Sequence, residues 1–159
     1  RGIASHCSFS KNHFLCKSHN PNRFVTFFYG ELDPVGHTFR YCNAGHNPPQ
    51  LISREAVSSE VLSTGGIVLG LMKEQSYQEA QVTLQAGDCL VLYTDGISEA
   101  ANEQAEEFGV ERLISAVGQF GSSRLQDVQH HLIQQVMQFQ GKGPQADDMT
   151  LVLLRRNDV

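Results

Sequence analysis

Apolar and β-branched residues fall in short blocks through the first part of the chain, and the period lengthens toward that of a helix only after residue 95. Residues 24–30 and 38–42 are rich in Phe, Val, Thr and Tyr. Between them Asp33, Pro34 and Gly36 suit positions i, i+1 and i+3 of a type I turn, which predicts a β-hairpin. Pro48 and Pro49 break the next stretch, after which 50–52 and 60–62 read as short strands around a polar turn. Residues 77–84 alternate as a half-buried strand does, and 89–93 and 151–154 are apolar blocks of strand length. Beyond Asp95 the chain reads as helical and acidic, with Glu99, Glu103, Glu106, Glu107 and Glu111 forming a solvated face. A helix over 110–119 is followed by a longer one from Ser123, whose hydroxyl would cap the first turn while Gln126 reaches back in a capping box. Leu125, Val128, Leu132, Val136 and Phe139 recur at helical spacing and mark a core-facing stripe that Gly141 closes. His130 and His131 are helical neighbours pointing in different directions, so they read as structural. Strands, then helices, then a returning strand indicate an α+β domain rather than alternating βαβ units.

Two acidic turns sit at the ends of apolar blocks: Thr94-Asp95-Gly96 after 89–93, and Asp147-Asp148-Met149-Thr150 before 151–154. A carboxylate at the tip of a buried strand is held by rigid backbone, which suits a hard, oxygen-seeking cation such as Mg²⁺ or Mn²⁺. Asp-Gly is also a common tight turn and paired acids are usually solvated, so neither turn is specific alone. Return of the last strand to the sheet would bring the two turns to one rim.

Composition narrows the picture. The chain has 159 residues, 12 basic and 17 acidic side chains and a net charge of −5, the wrong sign for holding nucleic acid. Its apolar runs are too short for a membrane span and its start lacks a signal peptide's order, so a cytoplasmic protein of one domain or part of one is expected. The four cysteines form no CxxC pair, and disulfides are not expected. His6, Cys7, His13, Cys16 and His19 have the ligand types for zinc but not the spacing of a complete site, and residues 1–22 read as an exposed, poorly patterned lead-in, with Phe14-Leu15 a candidate helix end before the loop at 18–22.

Four segments together resemble metal-dependent protein serine/threonine phosphatases of type 2C, in the bacterial SpoIIE/RsbU branch. They are Arg23-Phe24-Val25-Thr26, Tyr41-Cys42-Asn43-Ala44-Gly45-His46-Asn47-Pro48-Pro49, Leu92-Tyr93-Thr94-Asp95-Gly96-Ile97-Ser98-Glu99-Ala100 and Asp147-Asp148-Met149-Thr150-Leu151. Weaker agreement at 64–70 and 107–113 extends the resemblance over residues 23–156, leaving 157–159 as a tail. It implies a layered αββα sandwich with mainly antiparallel sheets, and in-line hydrolysis of phosphoserine or phosphothreonine by water activated between two Mg²⁺ or Mn²⁺ ions. By resemblance Asp95 and Asp147 are metal ligands. Asp148 is a neighbour that tunes the site or faces solvent, and Gly96 permits a tight turn. Gly45-His46 stands where other branches place a Gly-Asp turn, so His46 either orients solvent or a ligand, or fixes its own loop. Asn43 reads first as a turn-maker.

The chain departs from that pattern at its start. The family's early acidic ligands, and the segment holding its proposed general acid, have no counterpart, since residues 1–22 contain no Asp or Glu. The segment therefore reads as the C-terminal two-thirds of the domain, with no catalytic residue assigned, weak metal affinity, little activity alone and unpaired sheet edges that invite homodimerisation. The resemblance further implies a phosphorylated protein substrate, such as an anti-sigma-factor antagonist, and a sensory or receiver domain upstream. The alternative is a pseudophosphatase or regulatory protein-binding module that keeps the scaffold without the chemistry.

Overall fold

The computed structural model describes residues 2–5, 12, 15–16, 24–54, 59–119, 123–141 and 147–157. Its contacts cluster into two compact units, Arg1–Pro48 with Leu62–Leu84, and Pro49–Val61 with Gln85–Val159.

The first unit is built on the expected hairpin. Strands β1 (Phe27–Asp33) and β2 (Thr38–Ala44) pair antiparallel from Phe27↔Ala44 to Asp33↔Thr38. At the turn, Asp33 Oδ1 accepts the N–H groups of Val35 at 2.9 Å and Gly36 at 3.0 Å, so the side chain closes the loop. Those donors, Gly36 first, hold the Asp33 carboxyl below its ordinary pKa. β1 begins later than the apolar run suggests, because Val25 bridges Leu69 instead. Beyond β2 lie β5 (Gly65–Gly66), parallel to it, and β6 (Ala80–Thr83), antiparallel to it. β6 is shorter than the alternation over 77–84 predicts. Tyr77 turns into a small core with Ile3, Cys42, Ala44 and Leu69, and Gln78 donates its N–H to Gly65 rather than joining a ladder.

The lead-in is not uniformly exposed. Ile3, in the short helix α1 (Ile3–Ser5), is buried, and so is Asn12. The Asn12 amide donates to the Met72 carbonyl and accepts from Gly70 N–H, each at 2.8 Å. Apart from Cys16, whose thiol lies 3.7 Å from Asn12 Oδ1, the candidate zinc residues lie outside the described residues.

The second unit holds an antiparallel sheet in the order β4-β3-β7-β8, with β3 Gln50–Ile52, β4 Ser59–Val61, β7 Cys89–Tyr93 and β8 Leu151–Arg155. The last strand returns as anticipated and pairs with β7 from Cys89↔Arg155 to Tyr93↔Leu151. After β7 come α2 (Asp95–Ser98), α3 (Gly109–Gln119) and α4 (Leu125–Gln140). Val128, Leu132 and Val136 of α4 join Val91, Tyr93, Ile97, Leu113 and Val117 in the core, while Leu125 and Phe139 are partly buried at its margin. Gly141 ends the helix at φ +66°, a backbone that favours glycine.

Two details differ from the pattern. The cap of α4 is Arg124, with no side-chain cap bond, so the Ser123 capping box does not form. The acidic stretch after α2 is a loop, because Asn102 Oδ1 accepts the N–H groups of Gln104 and Glu106 and closes a turn that competes with helix. Arg112 secures that loop by donating to the carbonyls of Glu107 and Phe108 while lying over the Phe139 ring.

The described residues thus form an α+β fold with mainly antiparallel sheets, β2–β5 being the one parallel pair among the named strands. No helix among them is long and apolar enough to cross a membrane.

Candidate metal centre

The β7–β8 ladder decides where the two acidic turns lie. With Tyr93 opposite Leu151 as its last pair, the residues that follow one strand and precede the other must emerge at the same end of the sheet. Past that pair the ladder cannot continue, because Asp95 opens α2. The link is made by Thr94. Its N–H donates to the Thr150 carbonyl at 3.1 Å, and its hydroxyl accepts Thr150 N–H and donates to the Asp148 carbonyl, both at 2.9 Å.

Gly96 has a more specific role than a turn-former. It lies within α2 and is buried, and a Cβ there would stand 2.5 Å from the Asp148 carbonyl oxygen and 3.1 Å from that of Asp147. The absent side chain is what admits the second turn against the first.

Both candidate ligands are exposed, and each is tethered through one oxygen to the next peptide group. Asp95 Oδ1 accepts Gly96 N–H at 3.0 Å and Asp147 Oδ1 accepts Asp148 N–H at 2.7 Å. An all-oxygen, anionic donor set on fixed backbone suits Mg²⁺ or Mn²⁺ rather than a softer metal. Among the described residues, however, no group of three or more His, Cys, Asp or Glu side chains is placed to hold an ion. Two carboxylates would supply only part of a coordination sphere. Asp148 is exposed, and its carbonyl rather than its carboxylate makes the bond to Thr94.

His46, in the first unit, sits in a tight local network. The Asn43 side chain accepts His46 N–H at 2.8 Å and donates to the His46 carbonyl at 2.9 Å, while His46 Nδ1 lies 3.4 Å from Thr26 Oγ1. Asn43 is therefore the turn-maker its residue type suggested. His130, exposed, and His131, half-buried, each pair with the glutamine one turn on, Gln134 and Gln135.

Sequence reasoning assigned no role to two residues here. Thr94 was visible only as part of a short motif, and its partner in the fold is fixed by strand register. Asp88, at the other end of β7, is a buried carboxylate that accepts Gln85 N–H at 2.8 Å and Arg54 N–H at 3.4 Å, closing the turn into that strand.

Comparison with known proteins agrees with this architecture. The family model of Stage II sporulation protein E (SpoIIE) matches residues 10–157. Phosphoserine phosphatase RsbU of Bacillus subtilis is 30% identical over 135 residues, which cover 84% of this chain and 39% of RsbU. The crystal structure of the RsbU and RsbW domains of Mycobacterium tuberculosis Rv1364c matches with a TM-score of 0.69 at 26% identity, covering 83% of this chain and 36% of that one. The PP2C phosphatase domain of B. subtilis SpoIIE, solved with a fragment of its regulatory domain, matches in fold with a TM-score of 0.73 at 20% identity, covering 92% and 43% of the two chains. The chain spans between about a fifth and two fifths of the length of the curated relatives it matches. It belongs to the SpoIIE family, in the SpoIIE/RsbU branch of the PP2C-type phosphatases.

Proposed function

We propose that this chain carries the late ligands of the divalent-metal site of a protein serine/threonine phosphatase, and that the protein containing it hydrolyses a phosphorylated signalling protein. The observation that carries the reading is the joining of the Asp95 and Asp147 turns by the β7–β8 ladder and the Thr94 bonds. Asp95 and Asp147 would hold Mn²⁺ or Mg²⁺ through carboxylate oxygens whose orientation the Gly96 and Asp148 N–H groups fix. When bound, such ions lower the pKa of water and offset charge on a phosphoryl group. In this reading Asp148 faces solvent beside the ligand, Gly96 allows the turns to approach, and His46 stabilises its own loop. Metals accompany the fold elsewhere: relatives of it include a manganese-presoaked SpoIIE phosphatase domain and RsbX in complex with magnesium.

The substrate class we propose is a phosphorylated anti-sigma-factor antagonist, under control of a sensory or receiver domain. The relatives named as a phosphoserine phosphatase and as linked RsbU and RsbW domains support it.

Two carboxylates attract a divalent ion weakly, so titration of the 159-residue chain with Mn²⁺ should show a dissociation constant on the order of a millimolar. Binding should be lost in Asp95→Asn and in Asp147→Asn, with urea stability changed by less than about 0.5 kcal/mol. Binding indifferent to both substitutions would remove the site. With Mn²⁺ and a phosphoserine peptide, turnover by this chain should lie near background, and robust turnover abolished by Asp95→Asn would overturn the expectation of weak activity.

A binding module without hydrolysis is the second reading, favoured by the lack of a larger ligand group among the described residues. It predicts phosphoprotein binding that is unaffected by Mn²⁺ and by Asp95→Asn.

A further inference from the structure

We propose that Thr94 is a positioning residue for the divalent-metal site, its hydroxyl setting where the Asp147 turn stands relative to Asp95. The inference rests on the metal-site reading above. A threonine hydroxyl has one proton to give and lone pairs to receive, so it can hold a carbonyl and an N–H at once. Thr94 does both: it donates to the Asp148 carbonyl and accepts from Thr150 N–H, each at 2.9 Å. The Thr94 main chain bonds in two directions as well, its N–H to the Thr150 carbonyl at 3.1 Å and its carbonyl to Ile97 N–H at 3.0 Å. One residue thereby ties the end of β7, the first turn of α2 and the segment leading into β8.

The hydroxyl acts where regular pairing has stopped. Tyr93↔Leu151 is the last ladder pair, and the chain bends into α2 two residues later. The hydroxyl reaches this segment on either side of Met149, at the Asp148 carbonyl and the Thr150 N–H, while Met149 itself packs against the apolar cluster that holds Ile97. Asp147 adjoins Asp148, so any swing of the Asp148 peptide carries the Asp147 carboxylate with it. The bonded groups are also exposed, so water can replace the hydroxyl's bonds without leaving buried polar atoms unpaired. Loss of the hydroxyl should therefore release the geometry while leaving the fold nearly as stable, which separates positioning from scaffolding.

Thr94→Val keeps the branched shape and removes the hydroxyl, whereas Thr94→Ser keeps the hydroxyl. Three measurements distinguish them: Mn²⁺ titration, amide hydrogen exchange at Thr150 in the metal-free chain, and the urea midpoint. The expected result is a Mn²⁺ dissociation constant raised about tenfold or more in Thr94→Val and restored to within about threefold in Thr94→Ser. Thr150 exchange should be faster in the valine variant alone, with urea midpoints nearly unchanged. Wild-type affinity in Thr94→Val, or equal impairment in both variants, would overturn the role of the hydroxyl. A wild-type chain that binds no Mn²⁺ overturns the metal-site reading and the positioning role with it, while unaltered Thr150 exchange in Thr94→Val overturns the latch by itself.

Discussion

At the scale of single residues, close approach and burial outweigh intrinsic preference. Gly96 sits in a helix, where replacement by alanine ordinarily gains about 1 kcal/mol of helix propensity. Here the new methyl would meet a backbone carbonyl at 2.5 Å, and relief requires the Asp148 peptide to move. Overpacking of that kind costs about 1–3 kcal/mol, so Gly96→Ala should lower the urea midpoint and weaken Mn²⁺ binding together. Cys89 offers a second test. Burial pushes its thiol from 9.0 to about 11. The unfolded chain thus releases this proton before the folded chain does, and stability should fall as pH rises from about 9 to about 11. Burial raises the Tyr93 hydroxyl in the same sense. Urea midpoints measured across that range should decline in the wild type, and less steeply in Cys89→Ala.

At the scale of elements, the periodic segments carry the fold and local chemistry edits their ends. The α4 stripe buries Val128, Leu132 and Val136, whereas Met137 on the same helix is 59% exposed. Leu132→Ala should therefore cost about 2–5 kcal/mol in denaturant unfolding, against less than about 0.5 kcal/mol for Met137→Ala. Comparable losses in the two would show that the stripe is not the packed face. The elements that depart from the pattern do so for different reasons. Residues 77–79 alternate like a strand, yet Tyr77 is taken into a core that only the folded chain assembles. Residues 99–107 are rich in helix-formers, yet one side chain, Asn102, captures two backbone N–H groups and makes a loop. Ser123 has the residue type of a cap but lies one position too early, and Arg124 occupies the place.

At the scale of the whole molecule, each unit pairs a small antiparallel-dominated sheet with its own apolar cluster. The net charge of −5 sets no barrier to a small divalent cation and disfavours a polyanion. Among the described residues no group of three or more His, Cys, Asp or Glu side chains is placed to hold an ion, so the proposed site rests on two carboxylates. Each further carboxylate would add attraction that offsets dehydration of the ion, so the proposed two-carboxylate site predicts little turnover.

Much of this was written in local order. The hairpin, the α4 stripe with its closing glycine, and the strands 89–93 and 151–154 follow from residue periods and turn chemistry, because those forces act between neighbours. The short acidic motifs were legible in the same way, as residue types at strand ends. Register was not. That Thr150 faces Thr94, that the Asp148 carbonyl presses on Gly96, and that Asn12 is buried under the loop at 70–72 depend on contacts between distant parts of the chain. Sequence alone determined which residues can bear charge at a strand tip. Tertiary structure decided which of them meet, because closing a long loop places groups whose separation along the chain carries no information about their separation in space.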